Sequence, residues 1–168
     1  GYTLSQYEFK RIIDILNKYD QNDIVFLYDV AYLEYTSEED SRIKMLELLT
    51  LKEHVMTVLA FSGSKTFGVY GLRLGAAIGL SKNKKHIDNF RPRFVNEARG
   101  SWSATPTISI ELLNHFSRKE NHQLFSKDLE YIKEIVAKRS QSFISQANEI
   151  GLKTYPFKSG FYVIVLTD

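Results

Sequence analysis

The chain has 168 residues, 43% of them hydrophobic and 25% charged, with a formal net charge of +2. That is enough length to bury roughly 70% of the unfolded surface, and too little charge to imply a nucleic acid or an anionic membrane as partner. No cysteine is present, which excludes disulfides, thiolate catalysis and Cys-ligated metals and fits a reducing, cytoplasmic setting.

Gly1-Tyr2-Thr3-Leu4-Ser5 carries no signal segment. Ser5-Gln6-Tyr7-Glu8 has the spacing of a capping box, and Phe9, Ile12, Ile13, Ile15, Leu16 and Tyr19 predict an amphipathic helix over 6–19. After the polar turn Asp20-Gln21-Asn22-Asp23, the apolar run Ile24 to Tyr28 predicts a strand inside a parallel sheet, stopping at Asp29. Ile43, Met45, Leu46, Leu48 and Leu49 predict a second helix over 38–52, and Val55 to Ala60 the next strand. Strand–helix–strand is the unit of parallel sheets, so the fold class is α/β. Gly75 to Leu80 follows too soon for a crossover helix and is predicted antiparallel or at an edge.

Ser81-Lys82-Asn83-Lys84-Lys85-His86 reads as a solvated basic turn. Residues 84–98 are predicted helical up to Arg91 and interrupted at Pro92. Gly100 to Pro106 is predicted as a loop, Thr107 to Phe116 as a helix, and Phe125 to Asn148 as a long helix ended by Gly151. Phe161 to Leu166 predicts a last strand, far short of the ~20 residues of a membrane span, and the protein reads as soluble. His54 and His86 read as surface or strand-edge residues. His115 and His122, seven apart with no carboxylate pattern, do not suggest a metal site. Elements pressed against both ends of the chain predict an excised piece of a longer protein.

Chemistry concentrates at Phe61 to Gly75, where Ser62, Ser64, Lys65 and Arg73 are interleaved with four glycines between two apolar runs. Asp29 and the Lys65 stretch each follow a strand, so both are expected at the carboxyl ends of an open α/β sheet, where such sheets bind ligands. A carboxylate and an ammonium there would make a plain ion pair. Two serines, free backbone amides and a guanidinium add donors that suit a phosphate.

Ser62-x-Ser64-Lys65-x-x-Gly68-x-x-Gly71-x-Arg73-x-Gly75 resembles the pyridoxal-phosphate lysine signature of class I/II aminotransferases of fold type I. Asp29-x-Ala31-Tyr32, thirty-six positions before Lys65, resembles that family's strand-end aspartate motif, and Gly1 to Ser5 resembles the residues at its Asn-Pro-Thr-Gly motif. The resemblance implies part of the large cofactor domain over 1–118, a mostly parallel sheet with flanking helices. An interdomain helix and the start of a small α+β domain would follow over 119–168. It implies pyridoxal 5'-phosphate as cofactor, held by Lys65 as a Schiff base, with Lys65 also moving the substrate proton. Asp29 would pair with the pyridine nitrogen, Tyr32 would donate to the phenolate oxygen, and Ala31 would lie against the ring. Ser62, Ser64 and Arg73 would hold the phosphate.

The substrates implied are an amino acid and a 2-oxo acid, and the assembly a homodimer. Arg99 to Ser103 would either lie near the substrate or form a mobile surface loop. The matched residues bind the cofactor without choosing the reaction, so a lyase of the same fold, or the cofactor-sensing domain of a transcription regulator, stays open. The family's glycine loop, ring-stacking aromatic and carboxylate-clamping arginine have no counterpart in the chain, which by itself is expected to be inactive.

Overall fold

The structure is a computed structural model and describes residues 1–36 and 39–167. The capping box forms: the Ser5 N–H donates to Glu8 Oε2 at 2.8 Å, and the Glu8 N–H donates to Ser5 Oγ at 3.3 Å. Two otherwise free donors at a helix start are thereby satisfied. Helix α1 (Gln6–Lys18) buries Phe9 and Ile13 completely, worth about 2–3 kcal/mol each.

They pack on a three-stranded sheet in the order β1-β2-β3, built from β1 (Ile24–Asp29), β2 (Val55–Ser62) and β3 (Gly75–Leu80). β1 and β2 are parallel from Ile24↔Val55 to Asp29↔Ala60. β3 is antiparallel to β2 from Thr57↔Leu80 to Ser62↔Gly75, as its short connection predicts. Alternation along β1 turns Phe26 and Tyr28 toward Phe9, the Phe9–Tyr28 centroids lying 5.1 Å apart. Val25 and Leu27 are left exposed on the opposite face. Val30, Leu48, Leu51, Val55 and Leu59 complete the core on the α1 side.

Five expectations are corrected. The segment predicted as one helix over 38–52 changes pitch, with a π-helical turn at Glu39–Ile43 and a 3-10 turn at Leu46–Thr50; position 38 of that prediction lies outside the described residues. Lys44 is drawn fully inside and donates to the Leu4 carbonyl at 2.9 Å. The buried pair Leu48 and Leu51 then has the three-residue repeat of a 3-10 turn.

Helix α3 (Lys84–Ser101) runs through Pro92 instead of stopping there, so Gly100 and Ser101 of the predicted loop are helical. Phe90 and Phe94, 5.5 Å apart, join the turns on either side of the proline. Phe90 also docks where Gly79 lacks a side chain: a Cβ there would meet its ring at 2.8 Å. Such anchoring offsets the roughly 3 kcal/mol an interior proline costs. After α4 (Thr107–Ser117), helix α5 (Lys119–Glu149) starts a turn and a half earlier than predicted. Gly151, at φ +74°, follows it.

The predicted strand 161–166 reduces to one antiparallel bridge, Thr154↔Val165, because a single short segment lies beside it. Of the two readings of His86 the strand edge holds and the open surface does not, its side chain being 13% exposed. Its ring lies 3.3 Å from Asp23 Oδ2 and 3.2 Å from Ser81 Oγ, where β1 and β2 begin. No described helix is long and apolar enough to cross a membrane.

Candidate active site

Because β1 and β2 are parallel, they end at one edge of the sheet, and the predicted residues gather there. The chain leaves β1 in a turn held by Asp29, whose Oδ1 accepts from the Ala31 N–H at 2.9 Å. Val30 stays buried and its N–H donates to the Ala60 carbonyl at 3.0 Å. The 3-10 turn Leu33–Tyr35 follows. From it the buried Tyr35 reaches across to β2's continuation, its hydroxyl donating to the Lys65 carbonyl at 2.9 Å.

β2 passes directly into the short helix α2 (Gly63–Thr66), so Lys65 sits in one helical turn. Gly63 is required there: a Cβ would meet Leu74 Cδ2 at 2.8 Å, while the Gly63 N–H donates to the Leu74 carbonyl at 2.9 Å. Ser62 closes β2, and Ser64 is buried. Phe67 fixes the far end of the turn, at 5.2 Å from both Phe116 of α4 and Phe125 of α5.

The Lys65 ammonium is walled by aromatic rings. It lies 4.8 Å from the Tyr70 centroid, 5.7 Å from Tyr32 and 5.7 Å from Phe161. Each such contact contributes about 0.5–1 kcal/mol at a partly exposed site. The Arg73 guanidinium lies 5.0 Å from the same Tyr70 ring and donates to the Tyr70 carbonyl at 2.8 Å. Two cations therefore share one ring, within about a Debye length (~10 Å at 0.1 M) of each other. Among the described residues neither has a carboxylate within 4.0 Å.

Tyr32 links this pair to Asp29. Its ring meets Phe161 and Tyr162 edge-on, at 5.4 and 6.2 Å. Burial, then the hydrogen bond and charge of Tyr162, then the charges of Asp29 and Tyr70, push its phenol up to about 12. A cavity of ≈ 230 Å³ opens beside Asp29 and Tyr32, floored by Tyr28 and Leu4. A larger one, ≈ 470 Å³, lies on the Phe161 side, against Val136, Arg139 and Phe143 of α5; Asp29 and Tyr32 line only the smaller one, and Lys65 and Arg73 line neither.

Lys65, Tyr32, Asp29 and Arg73 are thus brought together, with Ala31, Ser62 and Ser64 on the same edge. Trp102, offered as a substrate neighbour, is exposed after the end of α3. Tyr35, Tyr70, Phe161 and Tyr162 went unassigned by sequence. Tyr70 lies inside the glycine-rich stretch, five positions after Lys65, where sequence proximity alone pointed to it. Phe161 and Tyr162 join the site through long-range packing that no local pattern encodes.

The family model for aminotransferase class I and II matches residues 1–168. The aromatic-amino-acid aminotransferase of Pseudomonas aeruginosa is 30% identical over 115 residues, 67% of this chain and 27% of that protein. The histidinol-phosphate aminotransferase of Sulfurimonas denitrificans is 27% identical over 74% of this chain and 34% of its own length. The chain thus spans about a third of the curated relatives it matches. A crystal structure of an aminotransferase from Anaerococcus prevotii superposes with TM-score 0.90 at 32% identity, over 100% of this chain and 42% of that one. An aromatic-amino-acid aminotransferase from Burkholderia pseudomallei, described as covalently bound to pyridoxal phosphate, shares the fold at TM-score 0.70 and 17% identity, over 94% of this chain and 40% of that one. With a strand-end aspartate, a ring-walled lysine and a match over its full length, the chain belongs to the class I and II aminotransferase family.

Proposed function

We propose that the chain is the lysine-bearing part of a pyridoxal-phosphate enzyme that moves an amino group between an amino acid and a 2-oxo acid. One observation carries the reading: Lys65 and Arg73 flank Tyr70 with no described carboxylate at either, at the sheet edge that also presents Asp29. A cationic pair without an internal counter-ion suits a ligand that brings its own negative charge. When bound, pyridoxal phosphate supplies an aldehyde that captures amines and a ring that draws charge away from the amino acid's Cα.

Each residue then has a physical task. Lys65 offers the amine for covalent attachment and moves a proton at the substrate Cα. Asp29, oriented by the Ala31 N–H, accepts from a protonated ring nitrogen. Tyr32 donates its hydroxyl to the ring oxygen, a role its raised pKa protects. Ala31 leaves space for a flat ring. Ser62, Ser64 and Arg73 donate to the phosphate. The division into 1–118 and 119–168 is supported by Arg118, which ends α4 and begins α5 in extended conformation. A cytoplasmic homodimer, and a 168-residue chain inactive by itself, complete the reading.

The test is titration with pyridoxal phosphate followed by borohydride reduction and peptide mapping. A long-wavelength absorbance band, a reduced adduct on Lys65 and loss of both in Lys65→Ala are expected. An adduct elsewhere, or a band untouched by Lys65→Ala, overturns the reading. In the full-length protein, amino transfer to an added 2-oxo acid is expected; elimination without transfer would instead identify a lyase.

A further inference from the structure

α4 buries the opposite of what its sequence suggests. In Thr107-Ile108-Ser109-Ile110, Ser109 is 0% exposed while Ile108 and Ile110 are 63% and 47% exposed. A helix that hides a hydroxyl and shows two isoleucines has a use for the hydroxyl, since burying a polar group is unfavourable unless it is paired. Ser109 Oγ donates to the Leu72 carbonyl at 2.7 Å, across 37 positions of sequence.

Leu72 immediately precedes Arg73, whose backbone is left-handed at φ 51° and ψ 41°. A non-glycine residue holds that conformation only where its surroundings impose it. Besides Arg73's own side-chain bond to the Tyr70 carbonyl at 2.8 Å, two clamps come from outside the turn. Ser109 takes the carbonyl before Arg73, and the Gly63 N–H takes the Leu74 carbonyl after it at 2.9 Å. The turn's own closing bond, from the Arg73 N–H to the Tyr70 carbonyl, is long at 3.5 Å and cannot do this alone.

We infer that Ser109 is a positioning residue for anion binding: by holding the Leu72 carbonyl it fixes the left-handed backbone at Arg73, and so keeps the guanidinium beside Tyr70 and Lys65. This rests on the proposed role of Arg73 toward the cofactor phosphate. The inference concerns how that role is set up from a helix outside the lysine stretch.

The experiment compares pyridoxal phosphate with pyridoxal, which lacks the phosphate, by equilibrium dialysis against the full chain. The variants are Arg73→Ala, Ser109→Ala, Ser109→Cys and the Arg73→Ala/Ser109→Ala double, each checked for an intact fold by circular dichroism. Arg73→Ala should weaken pyridoxal phosphate about 10- to 100-fold and pyridoxal hardly at all, since only the former carries a phosphate for the guanidinium to bind. Ser109→Ala should weaken pyridoxal phosphate about five- to tenfold, the scale of one lost hydrogen bond, again sparing pyridoxal. Ser109→Cys, with a weak donor, should fall between. In the double variant the serine change should add nothing, because both act through one group.

Equal weakening of both probes by Ser109→Ala, or a full additional loss in the Arg73→Ala background, would assign the serine to the general fold and overturn the inference. If Ser109→Ala does not fold, Ser109→Cys decides, and discrimination at the wild-type level rejects the idea. If Arg73→Ala itself leaves the two probes undistinguished, the phosphate role of Arg73 is wrong. That outcome differs from a failure of Ser109 alone, in which Arg73→Ala discriminates and the serine variants do not.

Discussion

The two edges of the sheet treat their polar groups in opposite ways. Where β1 and β2 begin, His86, Asp23, Ser81 and Asn83 satisfy one another: His86 meets Asp23 at 3.3 Å and Ser81 at 3.2 Å, and the Asn83 N–H donates to Ser81 Oγ at 3.1 Å. The resemblance to a nucleophile–base–acid row is superficial, because Ser81 also lies 3.3 Å from the Val55 carbonyl, an acceptor for its hydroxyl, and the cluster ties α3 to the strands. Where the strands end, Lys65 and Arg73 lean on an aromatic ring, and Asp29 spends one oxygen on a backbone N–H. A closed polar ring serves stability. An edge with spare charge suits the ligand proposed above, and on that reading gives up some stability for function.

Paired substitutions can break that contrast. Lys65→Ala should abolish covalent attachment of pyridoxal phosphate while leaving unfolding free energy in the absence of cofactor within about 1 kcal/mol, as expected when only cation–π contacts at a partly exposed site are lost. His86→Ala should do the reverse, lowering stability by about 1–2 kcal/mol through lost part-buried hydrogen bonds with attachment unchanged. Urea unfolding and borohydride trapping on both variants read the two effects. If each substitution damaged both properties, the edges would not be separable.

A smaller effect sharpens the picture at Tyr32. Its phenol, held up to about 12, contributes stability that is full below the ordinary tyrosine value of 10 and lost as pH rises through about 12. Tyr162→Phe removes one of its causes, so ultraviolet difference titration should show the Tyr32 transition moving down toward 10. An unmoved transition would separate Tyr162 from the site. The smallest effect is expected at Glu8, on the start of α1, where bonds from the Tyr2 hydroxyl and then the Ser5 N–H and hydroxyl hold the carboxyl at about 2 against an ordinary 4.5. A depressed carboxyl stabilises the fold above its unfolded pKa and ceases to do so as pH falls through the folded one. The melting difference between wild type and Glu8→Gln should therefore be full above about pH 4.5 and fade toward pH 2; a difference that grew on acidification would contradict the capping geometry.

Much of this arrangement was legible without coordinates. Capping residues, β-branched runs and glycine punctuation act over a few positions, so α1, the three strands and the antiparallel turn of β3 were readable. Local preference gave way where a distant contact overrode it. Pro92 should stop a helix, and does not, because Phe90 and Phe94 dock the turns around it. The 38–52 pattern looked helical because apolar spacing cannot foresee Lys44 turning inward to the Leu4 carbonyl. The last apolar run looked like a strand, but a strand needs a partner along its length and this one finds a single bridge.

The chain's own order of residues determined which chemical groups stand at the sheet's edge. Asp29 closes one β-run and Lys65 follows another, and parallel strands must end together. Tertiary structure alone decided what else surrounds them: the rings of Tyr32 and Phe161 on one ammonium, Tyr162 against Tyr32, and a serine from α4 behind Arg73. Local propensity acts through neighbours in sequence, whereas these contacts join segments separated by tens of residues, and only packing brings them within reach.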